Sequence, residues 1–267
     1  MSDSRPIGVF DSGFGGLTVV RALVDLAPDE AIVYVGDTGR YPYGPRPLEE
    51  VRGFALQIGK YLVGEHGVKM VVVACNTAAA AALDELSAAI EVPVVGVIEP
   101  GVRAMLRATT TGRVGVIGTV GTISSGAYQR TVSEVAPGSL SLTCAACPGF
   151  VEFVEKGDTD SDQVHVLAER LLKPMKDSQV DTLLLGCTHY PFLARTIADV
   201  LGPDVVLVSS AEETAFEIKA LLAESGLGSP GPASQRFISS GDVDWFRELG
   251  TRLLGMNIDV VEPVTWD

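Results

Sequence analysis

The 267-residue sequence predicts an α/β protein of two pseudo-symmetric, mainly parallel lobes facing each other across a cleft. Three observations lead there. Short runs of β-branched and other apolar residues alternate with amphipathic segments almost throughout, the pattern of repeated strand–helix units. Those runs are apolar at nearly every position, as parallel strands covered on both faces must be. The chain also repeats itself at an offset of roughly 110 residues, as a duplicated unit would.

In chain order, Ile7–Phe10 is the first strand and runs into the glycine-rich turn Asp11-Ser-Gly-Phe-Gly-Gly16. Leu17, Val20, Leu23, Val24 and Ala27 then recur at spacings of three and four, giving a helix with one apolar face. Ile32–Val35 is the second strand, followed by the polar loop Gly36–Gly44. Leu48, Val51, Phe54, Ile58, Tyr61 and Leu62 form the stripe of a second helix. Met70–Ala74 and Val94–Val97 complete the first set of strands, and Val114–Ile117, Leu140–Thr143, Thr182–Leu185 and Val205–Val208 form the second. The stretch 226–234, rich in Gly, Pro and Ser, is the one clear flexible link. Arg236–Ser239, a helix near 242–254 and Ile258–Val261 finish the fold. The division expected is 1–97 with 211–267 in the first lobe and 98–210 in the second.

The repeat is legible in two pairs of motifs. Ile7-Gly-Val-Phe-Asp-Ser-Gly13 and Val114-Gly-Val-Ile-Gly-Thr-Val120 are each a strand entering a glycine-containing turn. Val71-Val-Val-Ala-Cys-Asn-Thr77 and Leu183-Leu-Leu-Gly-Cys-Thr-His189 are each an apolar strand ending in a small residue, a cysteine and polar residues. Local similarity among strand–helix units is the plainer account of either pair alone.

Composition removes several function classes. Hydrophobic residues at 46% and charged residues at 20% describe a globular chain rather than a disordered one. Thirty-four Asp and Glu against 20 Lys and Arg give a net charge of −14, which opposes direct nucleic-acid binding. The same charge repels anions at long range, so an anionic ligand needs a local pocket. The longest apolar stretch, Met70–Leu83, is too short at about 14 residues to span a bilayer, and it is broken by Asn76 and Thr77. The amino terminus carries no export signal, and four cysteines in such a chain point to free thiols in a reducing compartment, the cytoplasm.

Ligands in open α/β sheets collect beyond the carboxyl ends of the strands. The polar clusters at those ends are Asp11-Ser12, the loop 36–44 with Tyr43 and Gly44, Cys75-Asn76-Thr77, Thr119 with Thr122, and Cys187-Thr188-His189. Backbone amides and hydroxyls there can hold a carboxylate without a dedicated Lys or Arg. Cys75 and Cys187 hold equivalent places in the two units. Across a cleft, two thiols can serve one carbon from opposite faces, and an ordinary thiol pKa near 8.5 makes both protonation states accessible. The bland alternative is that each cysteine is a small packed hydrophobe.

Other motifs carry less. Cys144-Ala-Ala-Cys147 has redox or zinc spacing but no second pair, leaving packed thiols as the expectation. Gly13-Phe-Gly-Gly16 is not a nucleotide-binding fingerprint. His66 and His165 read as solvated helix surface. The six lysines lack the context of a pyridoxal Schiff base, so neither that cofactor nor a metal is expected.

Taken together, Val9–Leu17, Gly36-Asp-Thr38 with Tyr41-Pro-Tyr-Gly44, Ala74–Ala78, Gly118–Thr122 and Gly186-Cys-Thr-His-Tyr-Pro191 resemble the glutamate racemases of the aspartate/glutamate racemase superfamily. The resemblance implies cofactor-independent interconversion of L- and D-glutamate in the interlobe cleft, supplying the D-isomer for peptidoglycan and hence cell shape. It implies Cys75 as the base toward D-glutamate and Cys187 toward L-glutamate, with Asp11 and His189 assisting the respective thiols. Substrate contacts are expected at Asp11, Ser12, Tyr43, Gly44, Asn76, Thr77, Thr119, Thr122, Thr188 and His189. The family also has a glutamate after its Cys-Pro turn. Glu155 fits that spacing better than Glu152, which stands where another residue, often proline, is expected. The alternatives are a superfamily racemase or decarboxylase acting on aspartate or a related acid, and an acidic partner-binding protein acting on DNA gyrase. Family members differ in oligomeric state, a homodimer among the forms allowed.

Overall fold

The computed structural model describes residues 3–138, 140–229, 231, 233–255 and 257–266. Of the residues assigned above, Met1, Ser2, Ser139, Pro230, Pro232, Met256 and Asp267 lie outside it. Among the described residues ten strands form two all-parallel sheets. The strands are β1 (Ile7–Asp11), β2 (Ile32–Gly36), β3 (Met70–Val73), β4 (Val94–Gly96), β5 (Arg113–Gly118), β6 (Ser141–Ala146), β7 (Thr182–Gly186), β8 (Val206–Ser209), β9 (Gln235–Ser239) and β10 (Val261–Pro263). The first sheet runs β10-β9-β2-β1-β3-β4 and the second β6-β5-β7-β8.

The repeat is visible in that order. β2-β1-β3-β4 and β6-β5-β7-β8 are the same topology met twice, and the first sheet is then extended by β9 and β10. Every residue of β1, β2, β3 and β7 is buried, which explains their unbroken apolar runs. Helices cover the faces. Helix Leu48–His66 buries Val51, Ile58 and Leu62 of the stripe read from its periodicity, together with Ala55, while Leu48, Phe54 and Tyr61 are only partly buried; it ends on Gly67 in the left-handed conformation. Each Val, Leu or Ile so buried contributes about 1.5–3 kcal/mol. Val114, Val116, Tyr128 and Leu184 of the second sheet's units join the hydrophobic core of the first, so the lobes share apolar packing. A second cluster, including Phe150, Met175, Tyr190 and Ile197, stays with the second sheet.

Three expectations need correction. Ile258–Val261 is not a strand; β10 begins only at Val261. Ile258 is instead buried against helix Val243–Leu254, where a Cβ on Gly250 would lie 2.8 Å from its Cδ1. β6 and β8 are partly exposed rather than buried, because they are the edges of the second sheet. His66 is not free surface: its ring packs edge-on against Tyr61 at 5.0 Å, and Nδ1 lies 3.4 Å from Arg236 Nη1. No helix among the described residues is long and apolar enough to cross a membrane.

Candidate active site

The carboxyl ends of β1, β2, β3, β5 and β7 converge on a cavity of about 90 Å³. β1 delivers Asp11, which is 1% exposed. Its Oδ1 accepts from Gly13 N at 2.8 Å and its Oδ2 from Thr188 Oγ1 of the other lobe at 3.2 Å. Burial pushes the Asp11 carboxyl up, opposed chiefly by the charge of His189.

Two residues beyond β3 lies Cys75, the N-cap of helix Asn76–Ala89. The Cys75 sulfur is buried and lies 3.7 Å from Ser12 Oγ. Burial, reinforced by the Asp11 charge, pushes this thiol up to about 12, so it is protonated at neutral pH. β7 ends beside Cys187, whose Sγ lies 3.9 Å from His189 Nδ1. His189 Nε2 in turn lies 3.2 Å from Glu155 Oε1, on helix Phe150–Lys156. Burial disfavours the imidazolium, but the contacts to Cys187 and Glu155 outweigh it and push His189 up to about 10.

The floor is hydroxylic. Thr77 Oγ1 lies 2.9 Å from Thr119 Oγ1 and 3.1 Å from Thr122 Oγ1, and the last two are 2.9 Å apart. Thr119 caps helix Val120–Ser124 through Thr122 N. Asn76 Nδ2 donates to Tyr128 OH at 2.9 Å, while Asn76 Oδ1 is buried without a protein partner. Across the cleft, Gly121 N donates to Gly44 O at 2.8 Å. Gly15 approaches the second lobe so closely that a Cβ there would lie 2.2 Å from Thr188 Oγ1 and 2.5 Å from His189 Nδ1.

Asp11, Ser12, Tyr43, Gly44, Cys75, Asn76, Thr77, Thr119, Cys187, Thr188 and His189 all line the cavity. Thr122 stands behind Thr77 and Thr119, and Glu155 behind His189, rather than on the wall. Glu152 is exposed and borders the cavity, whereas Glu155 makes the contact to His189. Cys144 and Cys147 are free thiols, as are Cys75 and Cys187. Cys147 does more than pack: it borders the cavity, and its carbonyl accepts from Tyr190 OH at 3.0 Å. Sequence reasoning missed Tyr128 and Asp37. Tyr128 falls in a helix without a polar motif; Asp37 stood inside a quoted motif but was given no role. Among the described residues no group of three His, Cys, Asp or Glu is arranged to hold a metal ion.

Two parallel α/β lobes thus each present a cysteine near the carboxyl end of a strand to one shared cavity. The family model for Asp/Glu/Hydantoin racemase matches residues 7–218. The glutamate racemase of Mycolicibacterium paratuberculosis is 52% identical, over 97% of this chain and 96% of its own. Among solved structures, glutamate racemase isoform RacE1 from Bacillus anthracis superposes with a TM-score of 0.92 at 42% identity, covering 98% of this chain and 97% of its own. The Francisella tularensis glutamate racemase, solved in complex with D-glutamate, gives 0.92 at 35% identity, with 98% of both chains covered. The chain belongs to the Asp/Glu/Hydantoin racemase family, in its glutamate racemase branch.

Proposed function

We propose that this enzyme interconverts L- and D-glutamate without a cofactor, by proton transfer between Cys75 and Cys187 at opposite faces of the α-carbon. The observation that carries the reading is the pair of strand-end cysteines in one buried cavity, each with its own polar partners. In the L-to-D direction Cys187 removes the α-proton, and the imidazolium of His189 beside it stabilises the thiolate. Cys75, a thiol at rest, delivers its proton to the other face. The reverse direction exchanges the roles, with the substrate ammonium offsetting the Asp11 charge beside Cys75.

The α-carbon of glutamate is a far weaker acid than a thiol, and each pK unit of mismatch costs about 1.36 kcal/mol. The cavity lowers that cost by excluding water and by presenting donors to the α-carboxylate. The amino terminus of helix Asn76–Ala89 and the hydroxyls of Thr77, Thr119 and Thr188 fit that task. No Lys or Arg occurs among the described lining residues. The unpaired Asn76 Oδ1 suits the substrate ammonium. We take the lobes as 1–97 with 211–267, and 98–210, and the cell-biological role as supply of D-glutamate for peptidoglycan in the cytoplasm. The test is chiral chromatography of the protein, dialysed against chelator, with each enantiomer of glutamate and of aspartate. Conversion of both glutamates and neither aspartate is expected; conversion of aspartate alone would transfer the reading to the superfamily's aspartate enzymes.

A further inference from the structure

Behind the loop that carries Tyr43 and Gly44 lies a carboxylate with no exposure and a full set of donors. Asp37 Oδ1 accepts from Ser240 Oγ at 2.6 Å and from Trp266 Nε1 at 2.6 Å. Its Oδ2 accepts from Arg40 Nε at 2.7 Å and from Tyr43 OH. A carboxylate offers about four acceptor sites, so each donor occupies one. The contributors come from two distant parts of the chain: the loop after β2, and the segments after β9 and β10.

Trp266 reaches this point because the chain beyond β10 continues along β9, with Val264 N donating to Ser239 O at 2.9 Å. Its ring then lies against Arg40, whose Cζ sits 4.8 Å from the Trp266 ring centroid and 4.1 Å from that of Phe54. Tyr61 packs edge-on against the same indole at 5.4 Å. Arg40 thus contacts two rings and is hydrogen-bonded to the oxygen that also holds Tyr43. Two residues nearer the cavity face the substrate space: Tyr43 lines it, and Gly44 O accepts from Gly121 N of the second lobe.

We infer that Trp266 is a positioning residue for the reaction: through Asp37 and Arg40 it fixes the Tyr43–Gly44 loop against the cavity. Without its N–H, a fully buried carboxylate loses one donor; without its ring, Arg40 loses one of two aromatic contacts. Either change loosens the oxygen to which Tyr43 is tied. The inference rests on the reading of Tyr43 and Gly44 as substrate contacts.

The experiment compares Trp266→Phe, which keeps a ring over Arg40, with Trp266→Ala, each checked for an intact melting transition. Amide hydrogen exchange across residues 38–46 reads the loop without reference to activity. Exchange there should rise about fivefold in the Phe variant and further in the Ala variant. KM for both enantiomers of glutamate should rise about fivefold in Trp266→Phe, with kcat within about twofold. In a Tyr43→Phe background the same change should add less than about 1.5-fold, because both act through Asp37. Unchanged loop exchange overturns the inference at the tail. Faster exchange with an unmoved KM also overturns it, and locates the fault in the assignment of Tyr43 and Gly44 as substrate contacts. Fully additive KM effects would make Trp266 a general stabiliser instead.

Discussion

Glu155 Oε1 lies 3.2 Å from His189 Nε2, on the ring edge opposite the one that faces Cys187. The carboxylate therefore sits in line behind the imidazole and the thiol, and with Cys187 it offsets the burial that disfavours the imidazolium.

Glu155→Gln removes one of the two contacts that push His189 up to about 10, so the imidazolium should be lost at lower pH. The alkaline limb of the L-to-D rate profile should move down with it, and kcat from L-glutamate should fall about tenfold. A pH–rate series on the folded variant is the check. An alkaline limb that stays in place would detach Glu155 from the proton chemistry.

Gly15 permits the lobes to meet at Thr188 and His189. The Cβ of Gly15→Ala would overlap both side chains, forcing His189 away from Cys187. A displacement of about 1 Å at a reacting group can cost about 100-fold, and that is the expected loss in kcat/KM. Steady-state kinetics at a temperature where circular dichroism shows the native fold would measure it.

Lys69 is a structural counterpart remote from the chemistry. Its Nζ is fully buried and bonds Glu30 Oε2 at 2.5 Å, Asp3 O at 2.8 Å and Leu227 O at 2.7 Å. Glu30 Oε1 accepts from Ser229 N at 2.8 Å, tying the segment after helix Ser210–Ser225 to the residues before β2 and, through Lys69, to the start of β3. Lys69→Ala strands a buried carboxylate and should destabilise the fold by about 3–5 kcal/mol. Urea unfolding should report that loss, while racemisation in the cold stays close to wild type.

Much of this organisation was legible in the sequence because it rests on local pattern. The unbroken apolar runs of β1, β2, β3 and β7 and the stripe of helix Leu48–His66 follow from burial on both faces and on one face, respectively. Cys75 and Cys187 were found because a repeated strand places both at the same end. Asp37, Tyr128 and Trp266 were not, because their partners lie far along the chain: Trp266 Nε1 meets Asp37 only after β9 and β10 have joined the first sheet. Edge position likewise escaped the reading of β6, although the alternation of Leu140, Ser141, Leu142 and Thr143 is that of a strand exposed on one face.

The two-thiol claim is tested most directly by incubating the enzyme, Cys75→Ser and Cys187→Ser with each enantiomer of glutamate in heavy water, without added cofactor. Mass spectrometry and chiral separation are read together. The account predicts that the unmodified enzyme forms the opposite enantiomer carrying α-deuterium, and that each serine variant loses racemisation by at least about 1,000-fold. Racemisation persisting in either folded variant would contradict it.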